Sequence, residues 1–428
     1  MRTMRSRALL LLPLLTALAS GWSGAVQDPP PPSAPAVAPE PDPGQARIER
    51  LRQASAADPS NGAFLYVLAR VLDQTGQTEQ ALETLRRLPQ IGWDYALDDN
   101  DFPKTRQLAG YKEVAARLIA AEPKVQRARL ERTLRERDLL PEGIASDPET
   151  GALFLSSVHK RKVVRVDRGG TVSDFLPEAK DGLLATLGLR VDARRRHLWV
   201  VSSAESSMKG FTPDDLGRSA VHVFDLASGR LVHQWKLGAP ADPAYLNDVT
   251  VLADGRALVT DSRRGGLYLA EPGKPDLAPF LPPGTFTGPN GLDAAPDQKR
   301  LYVATFFGIF IVDLATKAVA PLTLPPKAGN FAGIDGLYVH QGTLIGIQNA
   351  VGRPRIWRLR LSPQGDAATQ VEILESGSTD LDLATTGTLV GEDLVFVANP
   401  QIRAVGEDGK VLPAEGLQDL KLYRLPLG

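Results

Sequence analysis

From Glu142 to the C terminus the chain repeats one short pattern: a polar residue, a small residue, an aliphatic, a turn, and a brief apolar run. Pro289-Asn290-Gly291-Leu292-Asp293, followed by Leu301-Tyr302-Val303-Ala304, is the clearest copy. Others begin at Pro141-Glu142-Gly143-Ile144, Thr186-Leu187-Gly188-Leu189, Leu246-Asn247-Asp248-Val249, Gly333-Ile334-Asp335-Gly336-Leu337 and Leu381-Asp382-Leu383. Aligned on the residue before the small one, the copies start at Glu142, Leu187, Asn247, Asn290, Asp335 and Leu381, in steps of 45, 60, 43, 45 and 46 residues. That period is the length of a propeller blade, and six copies predict six blades.

Within a copy the residues read as four strands joined by tight turns. In the first, Gly143–Ser146, Ala152–Ser156, Lys162–Val166 and Val172–Leu176 are apolar runs separated by Asp147-Pro148-Glu149-Thr150-Gly151, by a polar stretch and by Asp167–Gly170, where hairpin chemistry is needed. The second copy carries an insertion over 203–217. In the sixth, Leu420–Leu425 is the third strand and the chain then stops, which would leave a row of unpaired backbone groups at an open edge. Residues 129–135 are expected to supply the missing strand, so that the propeller runs over 129–428; a continuing helix is the other reading of that Arg- and Glu-rich stretch.

Ahead of the repeats the composition changes twice. Arg2, Arg5 and Arg7 precede the apolar run Ala8–Leu18 and then small residues, the layout of a secretory signal over 1–25. The run falls short of the roughly 20 residues needed to cross a bilayer. Removal of the signal would leave an exported protein, periplasmic or secreted, with no membrane span. Residues 26–44 are rich in Pro and Ala and predict an extended linker. Over 45–125 the apolar positions change to helical spacing: Ile48 and Leu51, then Phe64, Val67, Leu68, Val71 and Leu72, then Ala81, Leu82 and Leu85. Asp58-Pro59 is expected to open the middle helix. The segment resembles a tetratricopeptide helix pair, with Ala81-Leu82 at the small-apolar position and Pro89 as the breaker. One pair cannot bury its own face, so it is expected to lean on a helix over 111–121 or on the propeller; a packing module and a protein-docking groove are both open readings. The chain has no Cys, and its formal charge of −1 with a pI near 6.6 gives no reason to expect a nucleic-acid partner.

In a propeller the first strand of every blade lines the central channel, so the six repeat positions should meet around one axis. Glu142, Asn247, Asn290 and Asp335 bring two carboxylates and two amide oxygens there, with no Lys or Arg among the six. Hard oxygen donors without sulfur or imidazole suit calcium, one ion in the channel, although other divalent metals use the same donors. The end of each second strand returns to the same face, which predicts a pocket wall of Ser157, Ser262, Phe306, Phe307, Asn349 and Asn399. The alternative is that Asn and Asp merely favour this junction, as they do turns.

Pro141-Glu142-Gly143, Leu246-Asn247-Asp248, Pro289-Asn290-Gly291-Leu292-Asp293 and Ile334-Asp335-Gly336-Leu337, in that order on successive blades, make the chain similar to the six-bladed calcium propellers of the gluconolactonase, senescence marker protein (regucalcin) and diisopropyl-fluorophosphatase group. The resemblance implies that Glu142, Asn247, Asn290 and Asp335 hold calcium, that Asp335 is also the catalytic base or nucleophile, and that the substrate is a small-molecule lactone or related ester. Tyr245 stands where sugar-lactone members often carry Arg, two residues before the first Asn. With Phe306 and Phe307 it points to a more apolar substrate. The competing expectation is a non-catalytic propeller that binds a ligand or protein around a structural calcium.

Overall fold

The computed structural model describes residues 43–428 except 60, 326, 327, 353 and 407–409. The expected signal and nearly all of the expected linker therefore lie outside the described residues. The described chain forms two compact units, residues 43–93 with 98–118, and residues 94–97 with 119–428. No helix among the described residues is long and apolar enough to cross a membrane.

The first unit is built on helices α1 (Pro43–Ala57), α2 (Gly62–Gln74) and α3 (Thr78–Arg86), and on the start of α4 (Ala109–Ala121). Helix α2 begins later than Asp58-Pro59 suggests, because Asn61 is its N-cap and accepts from the Ala63 amide. The helical spacing was set by burial: Leu65, Leu68, Leu72, Ala81, Leu82 and Leu85 are all inside. Tyr66 completes this core, stacked on Trp93 and edge-on to Phe102, with its hydroxyl donating to Asp101 at 2.7 Å. Phe102 in turn meets Tyr111 of α4. The pair thus covers its face with the loop that follows it and the next helix.

The second unit is the propeller. Among the described residues it contains six antiparallel sheets whose first three strands run in chain order. Blade one is Ile144–Ser146, Leu153–Ser157, Lys162–Val166 and Val172–Leu176; blade two is Ala185–Asp192, His197–Ser203, Ser219–Asp225 and Leu231–Leu237. Blades three to five begin at Leu246, Leu292 and Ile334. Blade six takes Gly387–Val390, Asp393–Val397 and Leu420–Pro426 from the C-terminal end, and its outer strand is Arg129–Leu134, antiparallel to Leu420–Pro426. Closure in this way joins strands from both ends of the domain and removes an open edge.

Side chains on alternate faces of each blade meet those of the next, and a buried cluster lies between every successive pair. Trp199 and Trp235 of blade two pack with Leu246 and Val259 of blade three. The last cluster brings Leu420 and Leu422 of blade six against Ile144 and Leu155 of blade one, with Leu134 of the closing strand. Two short segments were not anticipated. Val125–Gln126 adds a fifth strand to blade five. Residues 94–97, which fall inside the helical stretch of the sequence, belong to the propeller unit, where Arg355 lies 4.3 Å over the Tyr95 ring and donates to Asp94 at 3.0 Å.

Candidate functional site

The strand register defines which residues share a level around the axis. Ile144, Leu189, Val249, Leu292, Leu337 and Gly387 occupy one level, opposite Leu155, Val200, Val259, Val303, Gly346 and Phe396. Two residues earlier stand Glu142, Leu187, Asn247, Asn290, Asp335 and Thr385. The sixth ring residue is therefore Thr385 and not Leu381, which instead packs into the cluster between blades five and six. Equal spacing misplaced it because blade five has a long fourth strand, Ala368–Ser376. Thr385 and Thr386 both donate to the Glu142 carbonyl, at 2.8 and 2.5 Å, and join the last blade to the first at the ring.

Glycine follows the ring residue in four blades for a steric reason. A Cβ on Gly143 would come within 2.2 Å of the Leu187 carbonyl oxygen, and one on Gly291 within 2.3 Å of the Asp335 carbonyl oxygen. The strands converge too closely at the axis for a side chain to point sideways there.

Glu142, Asn247 and Asp335 are 7 to 9% exposed. Asn247 donates to Ser262 Oγ at 2.9 Å, and Ser262 donates to the Pro289 carbonyl, so Ser262 orients a ring amide and is not an open pocket hydroxyl. Asp335 Oδ1 accepts from Asn290 Nδ2 and its Oδ2 from Asn349 Nδ2, each at 2.5 Å. Asn349 is thus a support for Asp335. Two oxygens remain buried without a hydrogen-bond partner, Glu142 Oε2 and Asn290 Oδ1. Such atoms are costly unless something meets them.

Burial, with the charges of Asp335, Asp248 and Glu205, holds the Glu142 carboxyl well above the usual carboxylate range. Burial likewise pushes Asp335 up to about 7, against the pull of Asn349 and Asn290, while the Asp248 charge adds to the rise. Asp248, next to Asn247 and buried, is raised to about 6 by burial despite the nearby Arg190 guanidinium. These carboxylates share too little positive charge. Arg190 lies one level deeper, where it donates to the carbonyls of Val249 and Leu292 and pairs with Asp293 at 3.7 Å. It is engaged there in bracing three first strands.

The donor set fits a hard divalent cation: two carboxylates and two amides, two of whose oxygens have no other partner. Among the described residues no group of three or more His, Cys, Asp or Glu side chains is arranged to hold a metal without help from amides. Glu142, Asn247, Asn290 and Asp335 are the residues that would hold one.

Around the ring the wall differs from expectation in two further places. Register puts Val158, not Ser157, beside the ring in blade one; Ser157 is fully buried, with its Oγ donating to the Leu139 carbonyl and accepting from the Lys160 amide. Asn399 is likewise spent inside blade six, accepting from the Lys421 amide and donating to the Asp419 carbonyl. Phe306 and Phe307 are half-buried, edge-to-face at 5.2 Å. Val158, Leu187, Ala204 and Met208 form an apolar cluster against which Tyr245 and Phe211 pack.

The insertion of blade two contributes a residue that the sequence did not single out. Tyr245 donates to Glu205 Oε2 at 2.7 Å, and Ser207 donates to Glu205 Oε1. The insertion is fixed by His159, whose Nδ1 lies 2.7 Å from the Ser207 carbonyl and whose own carbonyl accepts from the Lys209 amide. No spacing rule reaches Glu205, since it belongs to no repeat position.

A tetratricopeptide repeat family model matches residues 41–94. No curated protein matches the chain. Among solved structures it is similar to a gluconolactonase from Xanthomonas campestris, at 19% identity over 71% of this chain and 98% of the other, TM-score 0.47. It is also similar to a PQQ-bound aldose sugar dehydrogenase from Streptomyces coelicolor, at 17% identity over 70% and 97%, TM-score 0.47. A third is a virginiamycin B lyase from Staphylococcus aureus, at 13% identity over 70% and 100%, TM-score 0.44.

Proposed function

We propose that the chain is an exported hydrolase of a lactone or related carboxylic ester, with one calcium ion held at the propeller axis by Glu142, Asn247, Asn290 and Asp335. The observation that carries this reading is the pair of buried oxygens without a partner, Glu142 Oε2 at the start of blade one and Asn290 Oδ1 at the start of blade four, at the same level of the ring. A bound ion would supply positive charge that polarises an ester carbonyl and offsets the repulsion between Glu142 and Asp335. Export rests on the basic and apolar start of the sequence.

The chain's own part falls to Asp335. Its carboxylate is aimed by two amides, so it meets the substrate in one orientation. As a base it takes a proton from water while the water oxygen adds to the acyl carbon. The bond to the alkoxy oxygen then breaks, and the proton passes to the departing alcohol. As a nucleophile it would form an acyl bond that water cleaves afterwards. Phe306, Phe307, Met208 and Tyr245 favour an apolar group on the substrate over a polyhydroxylated sugar.

A lactone and aryl-ester panel with the mature protein tests this, run with and without a calcium chelator and repeated for Asp335→Asn. Turnover abolished by both changes is the expected result; turnover indifferent to both sinks the mechanism. One observation favours the non-catalytic alternative: both Asp335 oxygens already accept amide hydrogens. A panel with no turnover, together with a calcium-dependent rise in melting temperature, would decide for a binding propeller, its helical segment then a candidate for docking a protein.

A further inference from the structure

We propose that Glu205, carried by the insertion of blade two, is a specificity-determining residue that makes this mouth select substrates bearing a cationic, alkylammonium-type group over neutral ones of the same shape. The inference rests on the reading above of a divalent ion at the ring.

Charge counting leads to it. One divalent cation balances Glu142 and Asp335, and Arg190 is spent one level deeper on Asp293 and two carbonyls. Asp248 and Glu205 are left over, and of the two Asp248 is buried beside Asn247 whereas Glu205 is only partly buried. Among the described residues it has no Lys or Arg partner, and its contacts are hydroxyls: Tyr245 on one oxygen and Ser207 on the other. Those donors fix the carboxylate without neutralising it, and Glu205 is only partly buried, so its remaining lone pairs are within reach of a ligand. The wall around the mouth is apolar and aromatic, with Tyr245, Phe306 and Phe307, a surface that takes up an alkylated cation more readily than a hydrated anion. Glu205 sits in a fixed segment, since His159 anchors the insertion at Ser207 and Lys209.

The experiment compares a choline ester with its neutral carbon isostere, in calcium-loaded wild type and Glu205→Gln. The wild type is expected to favour the choline ester in kcat/KM, and the variant to lose about tenfold of that ratio, the usual worth of one charged contact. Tyr245→Phe, which loosens the carboxylate but keeps its charge, should shift the ratio the same way by less. An unchanged ratio in Glu205→Gln, or a wild-type preference for the neutral ester, overturns the proposal. If neither ester is turned over, the hydrolase reading is judged on the lactone and aryl-ester panel and not on this pair. Calorimetric binding of choline against its neutral isostere then decides: choline preferred by wild type and not by Glu205→Gln supports the assignment, and equal binding refutes it. Calcium affinity measured in parallel must survive in Glu205→Gln; its loss would make Glu205 an ion ligand and overturn the specificity role.

Discussion

Asn290 Nδ2 lies 2.5 Å from Asp335 Oδ1, and the amide of the following Gly291 donates to the Asp335 carbonyl at 2.8 Å. Side chain and backbone therefore lock the same two ring residues across the seam of blades four and five. The amide is turned so that its nitrogen serves Asp335, which leaves its oxygen for the axis.

That arrangement gives Glu142→Gln two effects of opposite sign. Without metal the variant should unfold at a higher temperature than wild type, because a buried, partnerless carboxylate is replaced by a neutral group; the gain is about 1–3 kcal/mol. With calcium at a hundredfold excess over its dissociation constant, wild type should gain roughly 2.7 kcal/mol and the variant far less. Scanning calorimetry with chelator and with calcium reads both, and equal calcium shifts in the two proteins would remove Glu142 from the site.

Gly291→Ala tests whether the ring depends on close strand convergence. Its Cβ would fall 2.3 Å from the Asp335 backbone oxygen, which cannot turn away as a side chain could. A loss of about 1–3 kcal/mol in urea unfolding is expected, together with a weaker calcium response because Asp335 is displaced. Wild-type stability in this variant would mean that the seam has slack.

Closure of blade six should be visible in Arg424. Its guanidinium binds Glu131 on the closing strand through two contacts of 2.9 and 3.0 Å, and Asp393 on the neighbouring strand at 2.9 Å. The group is about one-third exposed, so solvent screening limits Arg424→Ala to about 1 kcal/mol. Deletion of 129–134 is a different matter. It bares the backbone edge of Leu420–Pro426 and removes Leu134 from its cluster, and association by analytical ultracentrifugation is the expected result.

His222 provides a pH readout away from the axis. Its Nε2 is 2.7 Å from the Gln234 amide nitrogen, and its Nδ1 is buried without a hydrogen-bond partner. Burial pushes its pKa down to about 4 from an ordinary 6.5. The depressed value means that its stabilising contribution is complete above pH 6.5 and is lost as pH falls through about 4. Over that window wild type should lose roughly 3 kcal/mol relative to His222→Asn, whatever their difference at neutral pH. Parallel stability curves for the two proteins would show that protonation is tolerated.

The blade count and five of the six ring positions, Leu187 included, were legible in the sequence because each depends on a local pattern repeated from blade to blade. A glycine follows the ring position where strands crowd together, which marks Glu142, Leu187, Asn290 and Asp335, while Asn247 is marked by the polar pair Asn247-Asp248 ahead of its apolar strand. The missing fourth strand of blade six was legible for a related reason, since strands leave a backbone edge that some other segment has to satisfy. Thr385 was hidden by the long outer strand before it, and Val158 by a one-residue shift of register, which in a strand turns a side chain to the opposite face. Glu205, Arg190 and the docking of residues 94–97 had no pattern to announce them. They join segments far apart in the chain, and such contacts are selected by the packed shape and charge of the finished propeller, quantities that exist only once the ring has closed.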